Sequence, residues 1–129
     1  MLKLLALLPS GLTKRLVHAQ ALVRNPYCLG VRIVVRDRDG AVLLVRHSYL
    51  PGWYLPGGGV DKGEVMAMAA TRELAEEAGI SCDGLPKLVG IYLNRGAMGR
   101  DHIGLYMVES WRPGEGYLQQ NSEIEEVRF

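Results

Sequence analysis

Three carboxylates, Glu73, Glu76 and Glu77, fall within an arc of roughly 100° if the stretch before Gly79 is helical, on the same side as Met66, Ala69 and Ala70. Glu73 is followed four residues later by Glu77, a like-charge pair that opposes the helix by about 0.2–0.5 kcal/mol. No lysine lies between Glu64 and Ile80, and Arg72, the single base there, can pair with Glu76 at i,i+4 while leaving the other two acids without a partner. A positive group from outside must complete such a set. Clustered hard oxygen ligands suit Mg²⁺ or Mn²⁺, and Mg²⁺ characteristically bridges one or two carboxylates and substrate phosphates. The chemistry these residues point to is phosphate chemistry.

The elements that position them are legible nearby. Asp61 or Gly63 can open the helix, Glu64 sits near its positive end, the interior is Ala, Met, Leu and Glu, and Gly79 supplies the stop. The other helical face, Ala67, Thr71, Leu74 and Ala78, is expected to pack on a sheet. Just ahead, Pro56-Gly57-Gly58-Gly59 forms a loop whose backbone can approach an ion or phosphate closely. Loop and acidic face are expected to meet at one point.

Gly58, Glu64, Arg72, Glu73, Leu74, Glu76, Glu77, Gly79 and Ile80 match G-x5-E-x7-R-E-U-x-E-E-x-G-U, where U is a bulky aliphatic residue. With nine fixed positions over 23 residues, this pattern is far more specific than a lone G-x-G-x-x-G. The chain resembles the Nudix hydrolase family, and Trp53-Tyr54-Leu55-Pro56-Gly57-Gly58-Gly59 resembles that family's approach to the box. The resemblance implies an α/β (α+β) fold, the Nudix-type α/β/α sandwich with a mixed β-sheet. It implies Glu76 and Glu77 as principal ligands of Mg²⁺ (or Mn²⁺), the Gly57 carbonyl as a further ligand, and Glu73 as a ligand or the water-activating base. Arg72 would orient the carboxylates by salt bridge, Glu64 would support the site as a hydrogen-bonding partner or through a metal-bound water, and Gly57, Gly58, Gly59 and Glu64 would be the cofactor-binding residues. Glu123, Glu125 and Glu126 compete with Glu73 for the base role. The implied reaction is attack of water on a phosphorus of a nucleoside diphosphate linked to another moiety. A catalytically silent nucleotide-binding module is the alternative, although every acid of the box is intact. The isomerase branch of the same fold needs a cysteine and a glutamate in motifs that Cys28 and Cys82 do not match.

Composition agrees with one enzyme domain. A length of 129 residues suffices for a single core, and a net charge of +1 argues against a general nucleic-acid binder. Residues 1–36 nevertheless carry Lys3, Lys14, Arg15, Arg24, Arg32 and Arg36 and no acid. Cys28 and Cys82 form no metal-type pair, which favours reduced thiols and a cytoplasmic location. His18, His47 and His102 are dispersed. Each is read first as a surface or hydrogen-bonded histidine, with His47 and His102 close enough to the sheet to approach substrate.

Along the chain, residues 29–35 and 41–47 alternate as strands around Asp37-Arg38-Asp39-Gly40 and predict a hairpin. Residues 88–94 and 102–111 predict a second one around Arg95 to Arg100. The final Glu126-Val127-Arg128-Phe129 reads as the start of a strand where relatives continue into a helix, so the C-terminal helix is expected to be absent. Residues 1–26 are expected as an N-terminal helical extension, two short helices that pack on the domain or on a sister subunit, and residues 27–129 as the Nudix domain. A signal peptide or a membrane span fits poorly, because the apolar run is short, charged and interrupted by Pro9. The expected partner is a small-molecule nucleotide, with no nucleic acid, no stable membrane insertion and a homodimer possible. Trp53, Tyr54, Tyr92 and Tyr106 are candidates to stack on a base, and Arg46, Arg95 and Arg100 to meet phosphate. The proline and tyrosine beyond the box that mark ADP-ribose and dinucleoside polyphosphate hydrolases are missing, which leaves a nucleoside triphosphate or another nucleoside diphosphate derivative.

Overall fold

The computed structural model describes residues 9–24, 26–95 and 101–129. Helix α1 spans Ser10–Arg24, followed by strands β1 (Cys28–Val35) and β2 (Leu44–His47), helix α2 (Met66–Ala78), and strands β3 (Ile80–Cys82), β4 (Lys87–Asn94), β5 (Asp101–Val108), β6 (Trp111–Pro113) and β7 (Ile124–Arg128). The fold is mixed α+β with a mixed sheet, as expected. β5 is central, parallel to β1 and antiparallel to β4. Two short antiparallel pairs, β2 with β7 and β3 with β6, complete the strands.

The second expected hairpin is present as β4 and β5, although its tip, residues 96–100, lies outside the described residues and β5 stops at Val108. The first forms only at its turn. Asp37 accepts from Gly40 N–H and Arg36 bridges Val42, but β1 and β2 then part company. β1 takes β5 on one side and the glycine loop on the other, with Val31 N–H bonded to the Gly58 carbonyl and Ile33 N–H to that of Pro56. Local turn signals cannot reveal that choice, because a strand buried on both faces gains more from two long neighbours than from its short sequential partner.

β1 directs Val31, Ile33 and Val35, all fully buried, toward α2, whose Ala69, Ala70, Leu74 and Ala78 are also fully buried. Small alanines let the helix sit close to the sheet, and full burial of Leu74 alone contributes about 1.5–3 kcal/mol. Leu74 and Ala78 are fully buried as expected and Ala67 packs partly buried against the core, but Ala69 and Ala70 are fully buried as well while Thr71 is only half-buried. The buried stripe therefore continues through Glu77. The helix also starts later than Asp61 or Gly63, at Met66 after Val65, with no side-chain cap. Its end is as expected: Gly79 adopts a left-handed conformation at φ 63°, where a β-carbon would strike the backbone of Gly116 and Tyr117.

The first N-terminal helix expected, over Leu2 to Leu8, lies outside the described residues. The second is α1, which is not packed on the domain. None of residues 11–24 is buried, and Leu12, Leu16 and Val23 are exposed. β4 is likewise exposed on both faces. No helix among the described residues is long and apolar enough to cross a membrane.

Candidate active site

Because Glu77 falls in the buried stripe of α2, it is only 5 % exposed. Its Oε2 accepts the Gly57 N–H at 2.8 Å. Burial lifts its carboxyl to about 7; the Gly57 N–H and Arg32 oppose the rise, while Glu73 and Glu123 add to it. Burial also raises Glu73, against the hydrogen bond and charge of Arg72. Two carboxyls held above their ordinary range on one helix face form a site that a cation would relieve.

Arg72 does more than pair with Glu76. Its Nε and Nη2 hold Glu64 at 2.8 and 3.0 Å, Nη1 reaches Glu73 Oε1 at 2.8 Å and Glu76 Oε2 at 3.2 Å, and Nη2 also donates to the Gly59 carbonyl at 2.9 Å. Of the three acids, only Glu77 lacks the arginine. Glu64 lies before the helix, where it accepts the Asp61 N–H at 3.0 Å and, chiefly through Arg72, is held below the usual carboxylate range. One guanidinium thus ties the glycine loop, the turn before α2 and the helix itself into a single frame.

The loop meets the acids as expected. A β-carbon on Gly58 would lie 2.6–2.7 Å from the Glu73 carboxylate. Gly57 has φ 145°, and a β-carbon there would strike the Val31 carbonyl. That close approach to β1 brings Arg32 Nη1 to 2.7 Å from the Gly57 carbonyl, with Leu55 as its second acceptor at 3.3 Å. The Gly57 carbonyl expected to face a metal is therefore engaged by a guanidinium, and a cation would have to share or displace it.

Glu73, Glu76 and Glu77 line one open cleft of about 290 Å³ with Asn121, Ser122 and Glu123. Asn121 builds its far wall. Its Nδ2 donates to the Glu76 carbonyl at 3.1 Å, and its Oδ1 accepts the N–H groups of Glu123 and Ile124, each at 3.0 Å. The Glu123 carbonyl takes the Ser48 N–H. Among the three C-terminal acids, the cleft selects Glu123, since Glu125 and Glu126 are drawn to Arg46, and Glu126 also to Arg128. Among the described residues no three His, Cys, Asp or Glu side chains are close enough to form a ready coordination shell. The donors still fit a hard divalent ion: all are carboxylate oxygens, and two are destabilised without a counter-charge.

Other candidates separate from the site. Tyr106 is buried in the core, Tyr54 packs against it, Tyr92 lies exposed on β4, and Trp53 has the Arg46 and Arg128 guanidiniums 5.6 and 4.7 Å from its ring centroid. His102 packs edge-on against Tyr27. His47 is the exception to the dispersed histidines: it is buried, with Nε2 4.0 Å from Glu77 Oε1. Sequence reasoning also missed Arg32, whose signal was a cation in the apolar run LGVRIVV, and Asn121, which carried none.

A Nudix domain model matches residues 26–129. The chain belongs to the Nudix family. It is 45% identical over 56 residues to an RNA pyrophosphohydrolase of Gluconobacter oxydans, covering 42% of this chain and 33% of the relative. It is 39% identical over 66 residues to a putative 8-oxo-dGTP diphosphatase of Bacillus subtilis, covering 51% and 44%. The chain thus spans less than half the length of these two curated relatives. In structure it superposes on a MutT Nudix hydrolase from Burkholderia pseudomallei with a TM-score of 0.64 and 25% identity, covering 78% of this chain and 80% of that one. Glu73, Glu76 and Glu77 of the Nudix box line the cleft just described, and Glu64 and Arg72 of the box are joined to them by hydrogen bonds.

Proposed function

We propose that this chain hydrolyses a pyrophosphate bond in a nucleoside diphosphate linked to another moiety, with Mg²⁺ or Mn²⁺ held at Glu76 and Glu77. The observation that carries this reading is the convergence of Glu73, Glu76, Glu77 and Glu123 on one cleft beside the glycine loop. A bound divalent cation supplies the charge that polarises phosphoryl oxygens and lowers the pKa of the attacking water. Glu73, raised by burial, takes the proton from that water, and Glu123 across the cleft is the competing base. Arg72 keeps Glu73 and Glu76 in place, since one guanidinium nitrogen donates to both carboxylates and offsets their repulsion.

Similarity to proteins named RNA pyrophosphohydrolase and putative 8-oxo-dGTP diphosphatase supports RNA, beside free nucleoside triphosphates, as a substrate candidate. The domain division at residues 26 and 27, a cytoplasmic location and a homodimer belong to the same proposal. Both cysteines are free, and α1 and β4 carry exposed apolar side chains that self-association would cover.

The test is phosphate and nucleotide release from nucleoside triphosphates, 8-oxo-dGTP, nucleotide sugars, ADP-ribose and 5′-triphosphorylated RNA, with and without Mn²⁺, beside Glu77→Gln. Metal-dependent release that Glu77→Gln abolishes supports the proposal. Nucleotide binding without turnover across the panel would favour the silent module.

A further inference from the structure

β2 ends at His47, where its register against β7 shifts between Arg46 and His47. Such irregularities re-aim a side chain, and here the imidazole is only 6% exposed. The rings of Tyr49 and Tyr54 flank it, with centroids 5.2 and 5.7 Å away. Nδ1 is buried without a hydrogen-bond partner, and no hydrogen bond from Nε2 to the protein is formed either; its nearest acid is Glu77 Oε1 at 4.0 Å. A polar ring kept inside a strand end without a partner needs a reason, since most buried polar groups are satisfied.

The Glu77 carboxylate supplies one. Oε2 is already fixed by the Gly57 N–H, whereas no donor holds Oε1. We infer that His47 is a positioning residue, whose Nε2–H holds Glu77 Oε1 while Gly57 holds Oε2, so that the carboxylate presents one fixed edge to the cation. The inference rests on the proposed role of Glu77 as a ligand. A turn of the Glu77 side chain that closes about 1 Å completes the bond, as hydrogen bonds of unliganded sites commonly tighten on binding. Arg32 and Glu123 are the charged groups that face the imidazole besides Glu77, and they act on it in opposite directions. Partners of this kind fix ligand orientation, and removing them weakens metal binding about 10- to 100-fold.

The test uses the whole chain as wild type, His47→Leu, His47→Gln and Glu77→Gln. Mn²⁺ binding is read by titration calorimetry at one alkaline pH common to all four proteins, and melting temperature is read without metal. His47→Leu is expected to weaken Mn²⁺ binding about 10- to 100-fold while its metal-free melting temperature stays equal or rises, because an unpaired buried nitrogen is removed. His47→Gln, which keeps an N–H at similar reach, is expected to recover most of the binding. Wild-type Mn²⁺ affinity in His47→Leu would overturn the inference. So would a joint loss of binding and of metal-free stability that glutamine does not restore, the mark of a merely structural residue. If Glu77→Gln binds Mn²⁺ as well as wild type, the ligand role of Glu77 itself fails, and that of His47 with it.

Discussion

Without metal, this protein should become less stable as pH rises, and Glu77→Gln should remove most of that slope. An ordinary glutamate ionises near 4.3, whereas burial holds Glu77 at about 7. Between those values the native state binds more protons than the unfolded chain, so stability is lost as pH rises and levels off above the native pKa. At 1.36 kcal/mol per pH unit of displacement, the change between about pH 5 and about pH 8.5 is on the order of 2–3 kcal/mol. For a domain of this size that corresponds to on the order of 10 °C in melting temperature. Glu77→Gln keeps the shape of the side chain but has no charge to desolvate. The assay is thermal melting in EDTA across that range for both proteins. Titrating groups not coupled to Glu77 are common to both, so the difference between the two curves reports Glu77 together with its coupling to Glu73 and Glu123. The expected outcome is a variant that is more stable than wild type at high pH yet gains nothing from Mn²⁺. Parallel curves would refute the reasoning, since a solvated or already neutralised Glu77 carries no such penalty.

Gly57→Ala should fail to fold, or lose at least about 3 kcal/mol, because its φ of 145° and the Val31 carbonyl leave no room for a methyl group; soluble yield and urea midpoint report this. Glu123→Gln should lower turnover at least tenfold, whereas Glu125→Gln, outside the cleft, should leave it within twofold, by order-of-magnitude expectation for removing a group at the reacting centre; equal effects would remove Glu123 from the chemistry. Arg72→Lys should cost about 1–2 kcal/mol in chemical denaturation, since an ammonium cannot serve all the oxygens of Glu64, Glu73, Glu76 and Gly59 that the guanidinium reaches.

The sequence by itself determined the acidic helix, its glycine stop at Gly79, the loop that meets the acids, the β4–β5 hairpin and the family. These depend on signals within about twenty residues: helical spacing, a left-handed glycine, alternating strands around a turn. Crowded like charges on one helix face also conflict with the helix's own preference, and such local conflicts mark functional positions. Only the tertiary structure decided which neighbour each strand takes, so β1 left its hairpin partner for β5 and the glycine loop. It alone buried Glu77, because the buried stripe of the helix widens to take in Ala69 and Ala70 beside Leu74 and Ala78. It joined Arg32, His47, Asn121 and Glu123 to the box from segments distant in sequence. It also left α1 uncovered although its leucines repeat at helical spacing. The reason is the same in each case: spacing along the chain specifies which side chains share a face, whereas burial and charge depend on what the rest of the fold brings to that face.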